Sequence, residues 1–124
     1  MKKLTILLFS ILISFSSYGE WVQVSKGVSG TTTFINIDKI KENNNYIYYW
    51  ALTNYADGSN ESAQAYRQSD CAVNRFKVLA FYSYSEPMGS GRPASQFTPP
   101  DEWLYAIPNT VDDTLLTYTC NNVK

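Results

Sequence analysis

Tyr46-Ile47-Tyr48-Tyr49-Trp50-Ala51-Leu52-Thr53-Asn54-Tyr55 decides the fold. Aromatic and β-branched residues dominate it, and both of its alternating faces are bulky, which predicts the strongest strand of the chain. Asp57-Gly58 is a hairpin signal behind it. Ser62-Ala63-Gln64-Ala65-Tyr66-Arg67 is compatible with the return strand. Upstream, Trp21-Val22-Gln23-Val24 alternates apolar and polar residues before a turn flanked by Gly27 and Gly30. Residues 31–37 form a second β-branched run, which Asp38-Lys39-Ile40 closes, with room for one helical turn, ahead of the turn-forming Lys41-Glu42-Asn43-Asn44-Asn45. Downstream, residues 75–84 make another long strand. One face of it reads Phe76, Val78, Ala80, Tyr82 and Tyr84, and the other begins with Arg75 and Lys77 and turns apolar at Leu79 and Phe81. Consecutive strands with short turns predict an antiparallel sheet.

The five prolines, Pro87, Pro93, Pro99, Pro100 and Pro108, all fall between residues 87 and 108. Regular structure there is limited to a short strand or a single turn. Beyond Pro108, Thr110 can cap a helix whose first turn carries Asp112 and Asp113 at the positive end of its dipole. Val111, Leu115, Leu116 and Tyr118 give that helix an apolar side, with Cys120 one turn beyond Leu116. One terminal helix on an antiparallel sheet is a two-layer α+β arrangement.

The first 19 residues have a different character. Met1-Lys2-Lys3 precedes Leu4-Thr5-Ile6-Leu7-Leu8-Phe9-Ser10-Ile11-Leu12-Ile13-Ser14-Phe15, an uncharged run too short to span a bilayer, and Ser17-Tyr18-Gly19 offers the small residues of a signal-peptidase site. Residues 1–19 therefore read as a signal peptide and residues 20–124 as a single exported domain, with no membrane insertion after cleavage. No cysteine follows the apolar run, so no acyl anchor is expected. Export sends the only two thiols, Cys71 and Cys120, into an oxidising compartment, where they are expected to pair. Closing a loop of 49 residues would stabilise the fold by about 4 kcal/mol.

Composition excludes more than it names. The chain has no histidine, which removes the usual general base, the Ser-His and Cys-His nucleophile pairs and the commonest metal ligand. Asp101-Glu102 and Asp112-Asp113 read as a loop and a helix start, and no cofactor or metal is expected. With Lys2 and Lys3 lost, eight basic residues face eleven acidic ones, so nucleic acid is not the expected partner. Met88-Gly89-Ser90-Gly91 lacks the Gly-Lys-Ser/Thr of a phosphate loop and reads as a mobile turn. Asn60-Glu61-Ser62 matches a glycosylation sequon that a bacterial-type exported chain usually ignores.

Aromatic residues make up 15% of the chain and are its one candidate binding surface. Tyr46, Tyr48 and Trp50 share one strand face, and Tyr82 and Tyr84 can share it from another strand. The pattern does not fix register, so these side chains are either an exposed patch for a protein partner or for self-association, or the core beneath the helix. The long irregular segment 85–108 is a second candidate surface. A small-ligand carrier, for example of haem with a tyrosine or Met88 on the iron, is a further alternative.

Several landmarks then coincide: Trp21-Val22-x-Val24, Phe34-Ile35-x-Ile37-Asp38, Trp50, Tyr66-Arg67 before Asp70-Cys71, Tyr84-Ser85-Glu86-Pro87-Met88-Gly89-Ser90-Gly91, Trp103, Pro108, and Leu115-Leu116 before Cys120. In order and spacing they resemble the surface-adhesin E family of Gram-negative bacteria across nearly all of residues 20–124. The resemblance implies a twisted antiparallel sheet of about six strands with a C-terminal helix tethered across it by a Cys71–Cys120 bond. It leaves room for a homodimer. It implies an exported, non-enzymatic binding module, in the periplasm, secreted or on the outer surface, with a host or envelope protein as partner. The alternative it leaves is a structural envelope subunit without an adhesive role.

Overall fold

The computed structural model describes residues 20–59 and 61–123. The expected signal segment, residues 1–19, and Asn60 of the sequon lie outside the described residues. The strands are β1 (Trp21–Lys26), β2 (Thr32–Asn36), β3 (Lys41–Asn43), β4 (Tyr46–Asn54), β5 (Ser62–Asp70), β6 (Arg75–Tyr84), β7 (Pro93–Phe97) and β8 (Leu104–Tyr105), followed by the helix α1 (Val111–Asn121). Six strands run in the order β1-β2-β4-β5-β6-β7, and every pairing is antiparallel. The two short strands extend this path: β3 pairs the first part of β4 and β8 the first part of β6.

Local chemistry explains most boundaries. Asn44 and Asn45 both adopt positive φ (52° and 70°), which closes the two-residue turn between β3 and β4. Asparagine tolerates that conformation better than most residues. A short 3-10 turn at Ile37–Lys39 separates β2 from β3, with the Asn36 side chain accepting from the Asp38 amide. At α1, the Thr110 hydroxyl accepts from the Asp113 amide at 3.3 Å. This is the expected cap, and Asp112 and Asp113 occupy the first turn.

α1 packs on β1, β4 and β5. Ile35, Ile47, Tyr49 and Ala51 from the sheet meet Leu115 from the helix, with Ile40 beside them and Val24, Tyr118 and Val123 packed around. Leu115 and Leu116 are both buried, which contributes about 1.5–3 kcal/mol each. Val111, expected on the apolar side, is instead 42% exposed, and the residue buried in its stead is Thr119. Its hydroxyl donates to the Leu115 carbonyl at 2.9 Å and lies 3.3 Å from Ser69 Oγ, so a polar side chain is accommodated in the layer. The Cys71–Cys120 disulfide joins the turn after β5 to the last turn of α1, with 6.0 Å between the Cα atoms.

The alternation read from residues 75–84 breaks in the middle of β6. Tyr66 is opposite Ala80 but Arg67 is opposite Val78, so Leu79 is an extra residue in a β-bulge. Phe76 and Val78 therefore share the helix side with Phe81, while Ala80, Tyr82 and Tyr84 lie on the opposite face. The Arg67 guanidinium over the Phe76 ring at 4.4 Å and the Trp50–Tyr82 ring pair confirm the two sides. An apolar bulge residue among apolar neighbours leaves no mark in a hydrophobic pattern, which is why the regular reading fails here.

The glycine-rich turn after β6 is fixed to the sheet rather than mobile. The Met88 amide donates to Asn54 Oδ1 at 2.8 Å and the Gly89 amide to Ser62 Oγ at 2.9 Å, while Ser62 donates to the Glu86 carbonyl at 2.6 Å. Gly89 has φ 67°, and a β-carbon there would collide with the Gln64 amide and touch Leu52. This close approach seals Leu52, which is fully buried although it sits on the sheet face away from the helix.

Candidate interaction face

The strand register places the even-numbered residues of β4 on the face opposite α1. Trp50 lies across from Tyr66, and Tyr48 across from Gln68. On the next ladder Gln64 is opposite Tyr82. The rings form a continuous half-buried row: Tyr48 to Tyr66 at 6.1 Å, Tyr66 to Trp50 at 4.9 Å, and Trp50 to Tyr82 at 6.1 Å. Such spacings are those of tilted and offset aromatic contacts. Gln68 donates its side-chain amide to the Tyr48 hydroxyl at 3.1 Å, fixing the first ring of the row.

One end of the row leads to a cationic and aromatic cluster. Tyr46 meets Trp103 at 5.3 Å, Arg75 lies 4.3 Å above the Trp103 ring and the Lys77 ammonium 4.7 Å from it. Arg75 is also held by Asp70 at 2.8 Å, a bond that raises its proton affinity further, and Lys77 by Asp101 at 2.6 Å. The Lys77–Asp101 pair and the two cations over Trp103 hold the segment carrying Asp101 and Trp103 against the sheet, and the four charges leave a mixed, nearly neutral border. The other end is closed by the turn bearing Met88, whose sulfur accepts from Asn54 Nδ2 at 3.1 Å. Beside Trp50 two shallow clefts of about 340 and 430 Å³ open, one bordered by Trp21, Asn36 and Gln64, the other by Lys41 and Tyr66, with Lys39 common to both.

Of the six candidate binding residues, Tyr48, Trp50 and Tyr82 form the row itself, with Tyr66 as the fourth member. Tyr46 stands in the neighbouring cluster with Trp103. Tyr84 is on the same face beyond Tyr82, at the level of Ser62 and Pro93. Met88 borders the face at the closed end. Tyr66 and Trp103 were not among the candidates: Tyr66 is a lone aromatic in a polar strand that only cross-strand pairing brings to the others, and Trp103 lies in the proline-rich segment, where sequence gives no sign that it folds back onto Tyr46, Arg75 and Lys77. The helix-side tyrosine, Tyr49, is different. It is fully buried, and burial pushes its hydroxyl above the ordinary tyrosine value while the nearby Arg67 charge works in the opposite direction.

The comparisons with known proteins agree with this architecture. The family model for surface-adhesin protein E matches residues 21–121. The chain belongs to that family. Two solved structures of Haemophilus influenzae protein E share its fold, one of crystal form II with a TM-score of 0.61, covering 83% of this chain and 88% of that one, the other with a TM-score of 0.60, covering 83% and 85%. Both are 19% identical to it. No curated protein sequence matches the chain. Membership in an adhesin family suggests an exported or surface protein without enzymatic activity. Among the described residues no helix is long and apolar enough to cross a membrane.

Proposed function

We propose that this adhesin E family member is an exported binding module of the bacterial envelope that holds a protein partner against the aromatic face of its sheet. The observation that carries the reading is the row Tyr48, Tyr66, Trp50 and Tyr82, half-exposed on the face away from α1. Rigid aromatic side chains supply large contact area at small entropic cost, and binding energy concentrates in them. Lys39, Lys41, Asn36 and Gln64 around Trp50 supply the polar rim such a patch needs. The segment 85–108 is the weaker candidate, because much of it is spent on β7, β8 and contacts that fix it to β5 and β6.

The test is capture of host matrix, serum or envelope proteins by the disulfide-bonded protein, compared with Trp50→Ala and Tyr82→Ala. Loss of at least tenfold in affinity, with circular dichroism and melting temperature preserved, is the expected result. Light scattering of the same variants reports whether the partner is a second copy. Unaltered capture by both variants removes the aromatic face from the reading, and unfolding of Trp50→Ala would reclassify that ring as core. Cell fractionation separates periplasmic from surface placement.

A further inference from the structure

On the face that carries α1, the sheet is hollow beside the helix rather than filled. Two hollows of about 230 and 170 Å³ share Val78 and Phe81 as common walls, so they form one apolar groove along β6. The bulge at Leu79 is what turns both of those side chains to this side. Alanines floor the inner hollow, at positions 51, 63 and 65, and leave a narrow slot; the outer hollow continues past Phe97 and Leu104. Phe97 is 56% exposed and Leu104 43%, an unusual outlay of apolar surface for a small domain.

The inner hollow ends at a charge. The Arg67 side chain is nine-tenths buried, lies over Phe76 and bonds Asp112 Oδ1 at 2.8 Å, while its Nε makes no hydrogen bond of good geometry, although the buried Tyr49 hydroxyl lies beside the guanidinium. A buried donor left unpaired is costly and is normally satisfied. Asp112, by contrast, has a side chain that is 44% exposed on the first turn of α1, so its carboxylate can turn out into water when another anion takes its place on the buried Arg67. A narrow apolar slot ending at a buried guanidinium, whose present anion is exchangeable, matches a linear alkyl chain with a negative head.

We propose that this groove binds a single acyl chain carrying an anionic head, with Arg67 holding the head in the place its bond to Asp112 now takes. The site lies on the opposite side of the sheet from the aromatic row and stands or falls independently of it. A free fatty acid and the phosphate end of a lipid share this chemistry. Both present one alkyl tail and one anion.

The experiment is calorimetric titration of the disulfide-bonded protein with octanoate, decanoate, dodecanoate, dodecyl phosphate, dodecanol and dodecylamine below their micellar concentrations. Saturable one-to-one binding is expected, tightening about fourfold per methylene until the groove is filled. Dodecanol and dodecylamine should bind at least tenfold more weakly, and the tighter of dodecanoate and dodecyl phosphate identifies the head. Ala65→Leu, which fills the slot, should abolish binding. Asp112→Asn should tighten it, by about threefold to fivefold, because it removes the competing anion. That gain has no counterpart in a merely structural ion pair. No saturable binding, binding indifferent to chain length or head charge as in a groove for apolar peptide side chains, or tightness unchanged by both variants overturns the proposal.

Discussion

Replacing both cysteines with serine, Cys71→Ser with Cys120→Ser, should detach α1 before it harms the sheet. The bond closes a loop of 49 residues, and freeing a loop of that length in the unfolded chain costs about 4 kcal/mol of stability at 25 °C. Without it, α1 is held by two buried leucines, worth about 3–6 kcal/mol together before the entropy of ordering is subtracted. The Arg67–Asp112 pair adds at most about 1 kcal/mol, since Asp112 is nearly half exposed. An 11-residue helix is also shorter than the ~12–15 residues needed for even marginal helicity alone. In a domain of this size each kcal/mol corresponds to about 4–8 °C, so the melting temperature should fall by roughly 16–32 °C. Urea denaturation of the oxidised protein and the double variant measures the first quantity. Amide exchange measures the second: α1 should lose protection while β4 and β5 keep theirs. A stability loss below about 1 kcal/mol, or equal protection of α1 in both proteins, would refute the view that the bond is the main tether of this helix.

Two further predictions concern single residues. Tyr49→Phe should leave neutral-pH stability unchanged or raise it by up to about 1 kcal/mol, because the buried hydroxyl makes no hydrogen bond of good geometry, although Arg67 and Ser69 lie beside it. The folded state raises the proton affinity of this hydroxyl, so its contribution is fully present below the ordinary value of 10.0 and fades as pH rises beyond it. Wild type should therefore lose stability faster than Tyr49→Phe above pH 10 in paired denaturation curves, and a phenylalanine variant destabilised by more than about 2 kcal/mol would mean the hydroxyl is bonded after all. Gly89→Ala should cost about 1–2 kcal/mol, from positive φ and from displacement of Gln64, and should expose Leu52. A melting curve superimposable on wild type would show that the turn does not press on the sheet as described.

Much of the architecture was legible because it rests on local chemistry. β4 announces itself by two bulky faces at period 2, α1 by the Thr110 cap and its acidic first turn, and the disulfide by two thiols behind an expected export signal. The faces were not legible, because they depend on which residues stand opposite one another across a ladder. Trp50 could be assigned to core or surface only when its partner Tyr66 was known. β3 and β8 escaped for another reason: one is a polar turn sequence, the other two residues in a proline-rich stretch, and each exists only because a neighbouring strand offers an open edge. The turn at Met88 and Gly89 looked mobile by composition, but its amides find Asn54 and Ser62, residues more than twenty positions away.

Leu79 also governs how this chain can change length. Elsewhere in the ladder, gaining or losing one residue turns every side chain beyond it over to the wrong side of the sheet. At position 79 the step is already absorbed: without Leu79, Val78 would still stand opposite Arg67 and Ala80 opposite Tyr66, with ordinary alternation between them. Descendants of this fold thus have one point in β6 where a residue can be dropped or regained without scrambling either surface, so the aromatic row and the groove behind it can evolve as separate traits carried by a single strand.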